Sequence, residues 1–427
     1  MLTNRPRGTE DILPQEIDRW YLLEATARQV SRLYGYREIR TPLFEHTELF
    51  DRGVGDTTDI VEKEMYTFQD RGGRSVTLRP EGTAPVVRAF LEHHLEAGGL
   101  PVKLFYLGPM FRYGRPQAGR LRQFHQFGVE AFGSRDPALD AEVIALAMDF
   151  YSRLGLKGLE LHLNSVGCPV CRPGHREALQ RYLRPHLGEL CPTCQGRFER
   201  NPLRIFDCKS PVCQEIVNSA PTVAASLCPE CSRHFQRVQE YLQELGWQFI
   251  PDEHLVRGLD YYTNTAFEIM VTGIGAQSSI GGGGRYDGLV AALGGKPVPG
   301  IGFGLGLERV LLALAARGQD LTPEQGVDVL VLTAGAGLDR AAVSLLARFR
   351  AAGLRADKDY LGRSLKAQMK YANRYPARLA VILGEAELAR GRVLVRHLDT
   401  GSQAEVSLEA VEEYCLSHLS SKGAWKE

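Results

Sequence analysis

Long apolar runs are missing from this sequence. Its first sixteen residues, MLTNRPRGTEDILPQE, hold no apolar stretch, so no secretory signal is expected there. The most apolar later run, GIGFGLGLERVLLALAA, is interrupted by Glu308 and Arg309 and is too short to span a bilayer. Membrane insertion is excluded on that reading, and a cytoplasmic location is expected. Net charge is missing as well: 51 Lys and Arg balance 51 Asp and Glu, so no global field argues for or against a nucleic-acid partner. No internal repeat or low-complexity segment is found, and at 44% apolar and 24% charged residues disorder is not the default. Nucleotide signatures are absent where glycines invite them. Neither GGGGRYDG nor GIGFGLGLER satisfies GxGxxG, and LGGKP lacks the first glycine and the Ser or Thr of a P-loop, which excludes Rossmann and Walker sites. Cysteine is scarce outside one stretch: eight of the nine lie between Cys168 and Cys231, and Cys415 stands alone.

What is present points to several domains, because one core seldom grows past roughly 250 to 300 residues and the chain has 427. Residues 15 to 34 have helical periodicity, and YREIRTPLFEH reads as a strand broken by Pro42. Strands are expected at RSVTLRP, VKLFYLGPMFRY, RQFHQFGVEAFG, LELHLNS and TAFEIMVTG, with an amphipathic helix over DPALDAEVIALAMDFYSRLG. A composition break falls at residues 318 to 326, and beyond it β and α segments alternate, which predicts a small α/β domain with a largely parallel sheet. Charge is uneven. Thirteen Lys or Arg face four Asp or Glu between Arg340 and Arg396, and five basic residues with no acidic one lie between Lys103 and Arg122. Solvated faces are the ordinary explanation for both.

The clustered cysteines form three CPxC pairs, Cys168/Cys171, Cys191/Cys194 and Cys228/Cys231, plus Cys208 and Cys213. Two thiolates around a tight turn suit a tetrahedral zinc ion, and two four-cysteine sites would use all eight. Reduced thiols in a small insertion are the alternative, and spacing alone does not give the pairing.

Four segments carry chemistry. In RQFHQFGVEAFG an extended chain puts Phe124, Gln126, Gly128, Glu130 and Phe132 on one face. A carboxylate among aromatics is costly unless a cation or hydrogen-bond donor meets it, and Gly128 is read as room for something to approach. TLRPEGTAPVVRAF leads through Pro80 into a helix that Thr83 could cap, with Glu81 in the turn. There a carboxylate could grip an ammonium group or sit favourably at the helix N-terminus. LVRGLDYYTNTAFE packs Arg257, Asp260, Tyr261 and Tyr262 between apolar residues of an expected strand. A glycine-rich strand then enters a helix at PGIGFGLGLERVLL, setting Arg309 beside a surface free of side chains.

In this order these segments, with GGGGRYDGL, resemble histidyl-tRNA synthetase, a class II aminoacyl-tRNA synthetase family. The resemblance runs along the whole chain and includes motif 2 at Phe111 and Arg112, motif 3 ending in Arg309, and a motif 1 candidate at REIRTPLFEH. It implies an α+β fold: an antiparallel six-stranded sheet flanked by helices in a catalytic domain over 1–325, interrupted by a helical, Cys-rich insertion at about 165–247. An α/β anticodon-binding domain would occupy 326–427. The implied activity is ATP-dependent formation of histidyl-adenylate and transfer to the 3′ end of tRNA(His), with Mg2+ on the ATP phosphates, in a homodimer. By the same resemblance Arg257 and Arg112 would be catalytic. Glu81, Thr83, Gln126, Glu130, Tyr261 and Tyr262 would bind histidine, with Tyr286 a further candidate, and Arg112, Phe124 and Arg309 would bind ATP. Strict alternation would put Tyr261 and Tyr262 on opposite faces, so a bulge or a misassignment is implied. The family does not decide zinc, because its insertion varies. The competing reading is the histidine-sensing regulatory subunit of ATP phosphoribosyltransferase, which shares the core but lacks the anticodon-binding domain.

Overall fold

The computed structural model describes residues 3–55, 58–271, 278–318, 326–375 and 377–419. Two compact units divide the chain, Met1–Leu321 and Thr322–Glu427. The break read at 318–326, and the boundary expected at 325/326, lie almost wholly outside the described residues.

The first unit opens with α1 (Ile17–Leu33), which buries Trp20, Leu23, Ala27 and Val30 along one stripe. The strand expected over YREIRTPLFEH is split into β1 (Arg37–Glu38) and β2 (Phe44–His46). Pro42 lies in the gap, where it removes a ladder donor. Next come α2 (Thr47–Val54), β3 (Tyr66–Gln69), β4 (Ser75–Leu78) and α3 (Thr83–Glu92), with β2, β4 and β3 in a small antiparallel sheet. Two ten-residue strands follow, β5 (Val102–Phe111) and β6 (Gln123–Phe132). Helix α4 (Pro137–Arg153) is capped by Asp136, which accepts the Ala138 N–H, and β7 (Leu159–Ser165) comes after it. Four helices then leave the sheet: α5 (Cys171–Leu183), α6 (Pro192–Arg200), α7 (Pro211–Val217) and α8 (Pro229–Glu244). The chain returns through β8 (Ile250–Pro251), β9 (Thr263–Val271), β10 (Ser279–Arg285), α9 (Leu289–Ala292), β11 (Gly300–Gly306) and α10 (Leu307–Ala316).

The main sheet has the order β1-β5-β6-β11-β10-β9-β7-β8. Its six long strands are antiparallel, as a class II core requires. Eight strands are present rather than six, because β1 and β8 each add two residues in parallel to an edge. Edge strands offer unpaired backbone groups, and a short passing segment satisfies them. One sheet face packs on α1 and α4, where Phe127 meets Phe150 and Phe303 edge-on at 5.0 and 5.4 Å between centroids. Each such aromatic contributes roughly 1.5–3 kcal/mol by burial. Leu104, Tyr106, Met110, Phe132 and Tyr286 pack with α3 and α9 in a smaller cluster on the other side.

The second unit runs β12 (Val327–Ala334), α11 (Asp339–Ala351), β13 (Ala356–Lys358), α12 (Leu365–Ala372), β14 (Ala377–Gly384), α13 (Glu385–Ala389), β15 (Arg392–His397), β16 (Gln403–Ser407) and α14 (Val411–Leu419). Strands β13, β12 and β14 are parallel, as their alternation with helices predicts. The antiparallel β14-β15-β16 extension was not read from the sequence. At least six of the thirteen basic residues between Arg340 and Arg396 are ion-paired: Arg348, Arg355, Lys358, Arg363, Arg390 and Arg392.

Candidate active site

Across the middle of the main sheet, cross-strand register aligns Tyr106, Gly128, Gly304, Gly282, Glu268 and His162 in one row. Paired residues of neighbouring strands project to the same face. Three successive glycines therefore leave bare backbone between a tyrosine and a glutamate. The next row pairs Glu130 with Gly302 and Gly302 with Gly284, so the glycine floor is at least two residues deep. The glycine-rich run is thus a strand whose missing side chains make a surface, and bulk is excluded there. A Cβ at Gly302 would stand 2.1 Å from Glu130 Oε2 and 2.3 Å from the Val129 carbonyl oxygen, and one at Gly282 would stand 2.6 Å from Arg257 Nη1.

Gly128 gives the room expected of it, and a tyrosine of the neighbouring strand fills that room. A Cβ there would lie 2.2 Å from the Tyr106 ring, and one at Gly82 would lie 2.3 Å from the same ring. Both glycines make room for Tyr106, which the sequence reading missed. Its only signal was a polar tip in the largely apolar stretch LFYLGPMF.

Glu130 is fully buried. Thr83 donates its hydroxyl to Glu130 Oε1 at 2.7 Å, and Tyr286 donates its own to Oε2. Burial holds the Glu130 carboxyl well above the usual glutamate range, against the pull of these hydroxyls, and the neighbouring Glu81 adds to the rise. Glu81 is raised by burial too. Its two oxygens accept the Thr83 and Ala84 N–H groups, each at 2.8 Å. Helix α3 is therefore capped by Glu81 and not by Thr83, which is already helical and turns its hydroxyl to Glu130. Each Glu81 oxygen keeps a second lone pair for a ligand donor. Tyr261 and Tyr262 precede β9 instead of lying in it, with ring centroids 4.7 Å apart, so the alternation problem does not arise. A register shift does follow, at Asn264, whose φ is +48°. Tyr261 meets Tyr286 edge-on at 5.6 Å.

Arg257 reaches over the floor from the opposite side. Its Nη1 donates to Glu268 Oε1 at 3.1 Å, and Ser279 donates to the same oxygen at 2.6 Å. Burial alone would weaken the guanidinium's hold on its proton; the Glu268 charge, together with Tyr262 and Tyr261, outweighs that and raises its pKa. Neither Glu268 nor Ser279 was singled out from the sequence. Arg112 donates to the Pro80 carbonyl at 2.7 Å and lies 5.4 Å from the centroid of the Phe124 ring. Arg309, in the first turn of α10, donates to the carbonyls of Gly119 at 2.9 Å and Ser279 at 2.8 Å. Its pKa is lowered by burial and then by the charges of Arg112 and Arg120. Guanidinium groups that repel one another suit an anionic ligand. Gln126 Oε1 is buried with no hydrogen-bond partner among the described residues, and a ligand amine could supply one. The structure thus brings Glu81, Thr83, Glu130, Tyr261 and Tyr286 into one cluster. Gln126 and Arg257 lie on the same glycine-floored face, with Arg257 6.0 Å from the centroid of Tyr262, while Arg112, Phe124 and Arg309 form a neighbouring basic group.

The cysteines separate into two groups, Cys168, Cys171, Cys228 and Cys231, and Cys191, Cys194, Cys208 and Cys213. All eight are free thiols.

Comparison with known proteins follows the same division of the chain. A family model described as histidyl-tRNA synthetase matches residues 8–169 and 213–310, and one described as an anticodon binding domain matches 327–418. The histidine--tRNA ligase of Moorella thermoacetica is 84% identical over 97% of this chain and 98% of its own length. That of Pelotomaculum thermopropionicum is 63% identical, covering 97% of each. Among solved structures, apo histidyl-tRNA synthetase of S. aureus superposes with a TM-score of 0.83 at 42% identity, over 97% of this chain and 99% of that one.

Proposed function

The chain belongs to the histidyl-tRNA synthetase family, and on that premise we infer that it activates L-histidine with ATP and transfers it to tRNA(His). The histidine carboxylate attacks the α-phosphate of ATP, pyrophosphate leaves, and a hydroxyl of the terminal ribose then displaces AMP from the adenylate. Glu130, buried and among the described residues in no ion pair, receives the imidazole N–H. Imidazole is nearly alone among amino-acid side chains in offering a ring donor that can also carry charge near neutrality. Glu81, Thr83 and Gln126 take the α-amino group, and Tyr261 and Tyr262 wall the pocket. Arg257 holds the carboxylate against the α-phosphate, so nucleophile and electrophile meet in one geometry. Arg112 and Arg309 meet the nucleotide with Phe124, and fixed cations stabilise the charge that gathers at phosphorus. Mg2+ belongs to the same reading. Glu268 is the carboxylate beside Arg257, and one carboxylate with phosphate oxygens is a donor set magnesium accepts.

Residues 1–325 are assigned to catalysis, with the insertion at about 165–247, and 326–427 to the anticodon. The loop RYGRPQAGRLR approaches the acceptor end, and the basic stretch from Arg340 to Arg396 contacts the anticodon stem through phosphates. A homodimer is proposed through the motif 1 segment, where Leu43 and Phe44 are exposed. Among the described residues no helix is long and apolar enough to cross a membrane, and a cytoplasmic location accords with the substrates. Structural zinc is proposed on the cysteine groups.

One observation carries this reading: Glu130 and Arg257 face the same glycine floor, with Glu130 against Gly302 and Arg257 against Gly282. Histidine-dependent exchange of pyrophosphate into ATP, without tRNA, tests it. Arg257→Ala should lower exchange on the order of 10²- to 10³-fold in folded protein. No exchange by folded wild-type protein would favour the regulatory-subunit reading, which residues 327–418 already argue against by matching an anticodon binding domain.

A further inference from the structure

In each cysteine group the four sulfurs lie within 4.8 Å of one another. Cys168 and Cys171 are 3.6 Å apart at sulfur, and Cys191 and Cys208 are 3.8 Å apart. Four sulfurs placed tetrahedrally at about 2.3 Å from one ion stand about 3.8 Å from each other. A disulfide would bring a pair to about 2.05 Å. An iron–sulfur cluster would spread them, because iron and sulfide lie between the thiolates. Backbone donors point at the sulfurs as well. Val170 N–H donates to Cys168, Cys228 N–H to Cys171, Cys191 N–H to Cys213 and Ser210 N–H to Cys208, at 3.1–3.4 Å. Such donors favour thiolate over thiol. Cys191 and Cys228 stand at the N-caps of α6 and α8, and Pro192 and Pro229 open those helices. The positive helix ends stabilise the same charge.

We propose that the insertion holds two structural zinc ions, one on Cys168, Cys171, Cys228 and Cys231 and one on Cys191, Cys194, Cys208 and Cys213, and that the first is a clasp that positions the Tyr262 wall of the histidine pocket. Each ion displaces four thiol protons to solvent, and no redox change is involved. The pairing follows the path of the chain. Cys168 and Cys171 stand where the chain leaves β7, Cys228 and Cys231 where α8 leads back, so the first ion closes the root of the insertion. The second ion reinforces the small core of the tip, where Cys194, Cys208 and Cys213 are buried with seven apolar residues that include Leu179, Leu190 and Phe198. The family match skips residues 170–212, which hold four of the eight cysteines.

The clasp reaches the pocket through two contacts. Arg172, the residue after Cys171, donates from Nη2 to the Tyr262 carbonyl and from Nε to the Val166 carbonyl at 3.3 Å. Asn264 bonds through its backbone to Val166 and Gly167, and its side-chain amide lies 3.0 Å from Cys231 Sγ. Turning that amide end for end presents its N–H group to a thiolate. This second half of the proposal rests on the functional reading above.

Elemental analysis of the full-length chain, purified without chelator, should find two zinc ions per chain. Cys415→Ser should keep both, and Cys168→Ser and Cys194→Ser should each lose one. Should a variant fail to fold, Co2+ exchanged into wild-type protein still reports the sites, through sulfur-to-cobalt charge transfer and tetrahedral d–d bands for two ions. Metal-free folded protein with titratable thiols, or iron in place of zinc, overturns the two-zinc assignment. For the clasp, Arg172→Ala should retain two zinc ions and raise the KM for histidine about tenfold, the loss of a charged donor, with kcat and the KM for ATP little changed. Cys168→Ser should raise the same KM. An unchanged histidine KM in both variants overturns the clasp. Two zinc ions in protein with no exchange at all would instead sink the functional reading and leave the metal sites standing.

Discussion

Two carboxylates ten positions apart in the chain, Glu130 and Asp140, are both fully buried, yet they bind protons in opposite ways. Asp140 on α4 accepts from Arg285 of β10, through Nε at 3.2 Å and through Nη2, and faces His234 Nε2 of α8 at 3.2 Å. Burial pushes its carboxyl upward, and Arg285 with His234 outweighs burial and brings it below the usual range. Glu130 is met by hydroxyls alone, and burial keeps it well above the usual range. The comparison separates a carboxylate locked into the fold from one suited to a ligand that brings its own N–H. Equal burial therefore says little about role; the charge of the partner decides it.

The comparison can be tested in several ways. The largest effect is expected at Glu130→Gln, which should reduce histidine-dependent exchange by about 10³-fold or more, since a site built on a hydrogen bond loses most when the bond cannot form. Asp140→Asn should act on the fold instead. It leaves the buried Arg285 with Asp287, 3.2 Å from Nη1, as its remaining carboxylate partner, at a cost of about 3 kcal/mol measured by denaturant unfolding. A loss of under 1 kcal/mol would mean the pair is not what locks α4 to β10. The pH dependence of stability should differ in sign between the two sites. Glu130, raised in the fold, contributes stability that is complete below the ordinary glutamate pKa and is lost as pH rises through its folded value. Glu130→Gln should therefore melt higher than wild type at neutral pH, by a few degrees, with the gain vanishing in acid. Asp140, depressed in the fold, contributes stability present above the ordinary aspartate pKa and lost as pH falls through its folded value. The smallest effect is expected at Tyr286→Phe. Glu130 would lose one donor, and the acid limb of kcat/KM should move up by about one pH unit; an unmoved limb would detach Tyr286 from the titration.

Much of this architecture was legible in the sequence, for physical reasons that vary by element. Strand β6 could be read because its two faces differ sharply in polarity, and β7 because LELHLNS alternates. Residues recruited over long chain distances were less legible. Arg285 stands in a glycine run whose neighbours say nothing of Asp140, and Glu268 lay within a quoted segment without any local mark of its tie to Arg257. Gly128 was read as room without its occupant, because a missing side chain shows that something approaches and not what does. The cysteine pairs were plain, but their grouping joins residues some sixty positions apart, which spacing cannot order. Edge strands β1 and β8 are two residues long, below any periodicity. Hairpin β15–β16 was overlooked although its turn contains Asp399, Thr400 and Gly401, residues that favour one.

The paved centre of the main sheet also sets how this pocket can change. Replacing a glycine can only add atoms, and at Gly282 and Gly302 the first added carbon already collides with neighbouring atoms. Mutational drift toward another amino acid is thus closed from below. Whatever latitude the pocket has must come from its rim, at Tyr106, Gln126, Tyr262 and Tyr286, where a side chain can be trimmed as well as enlarged.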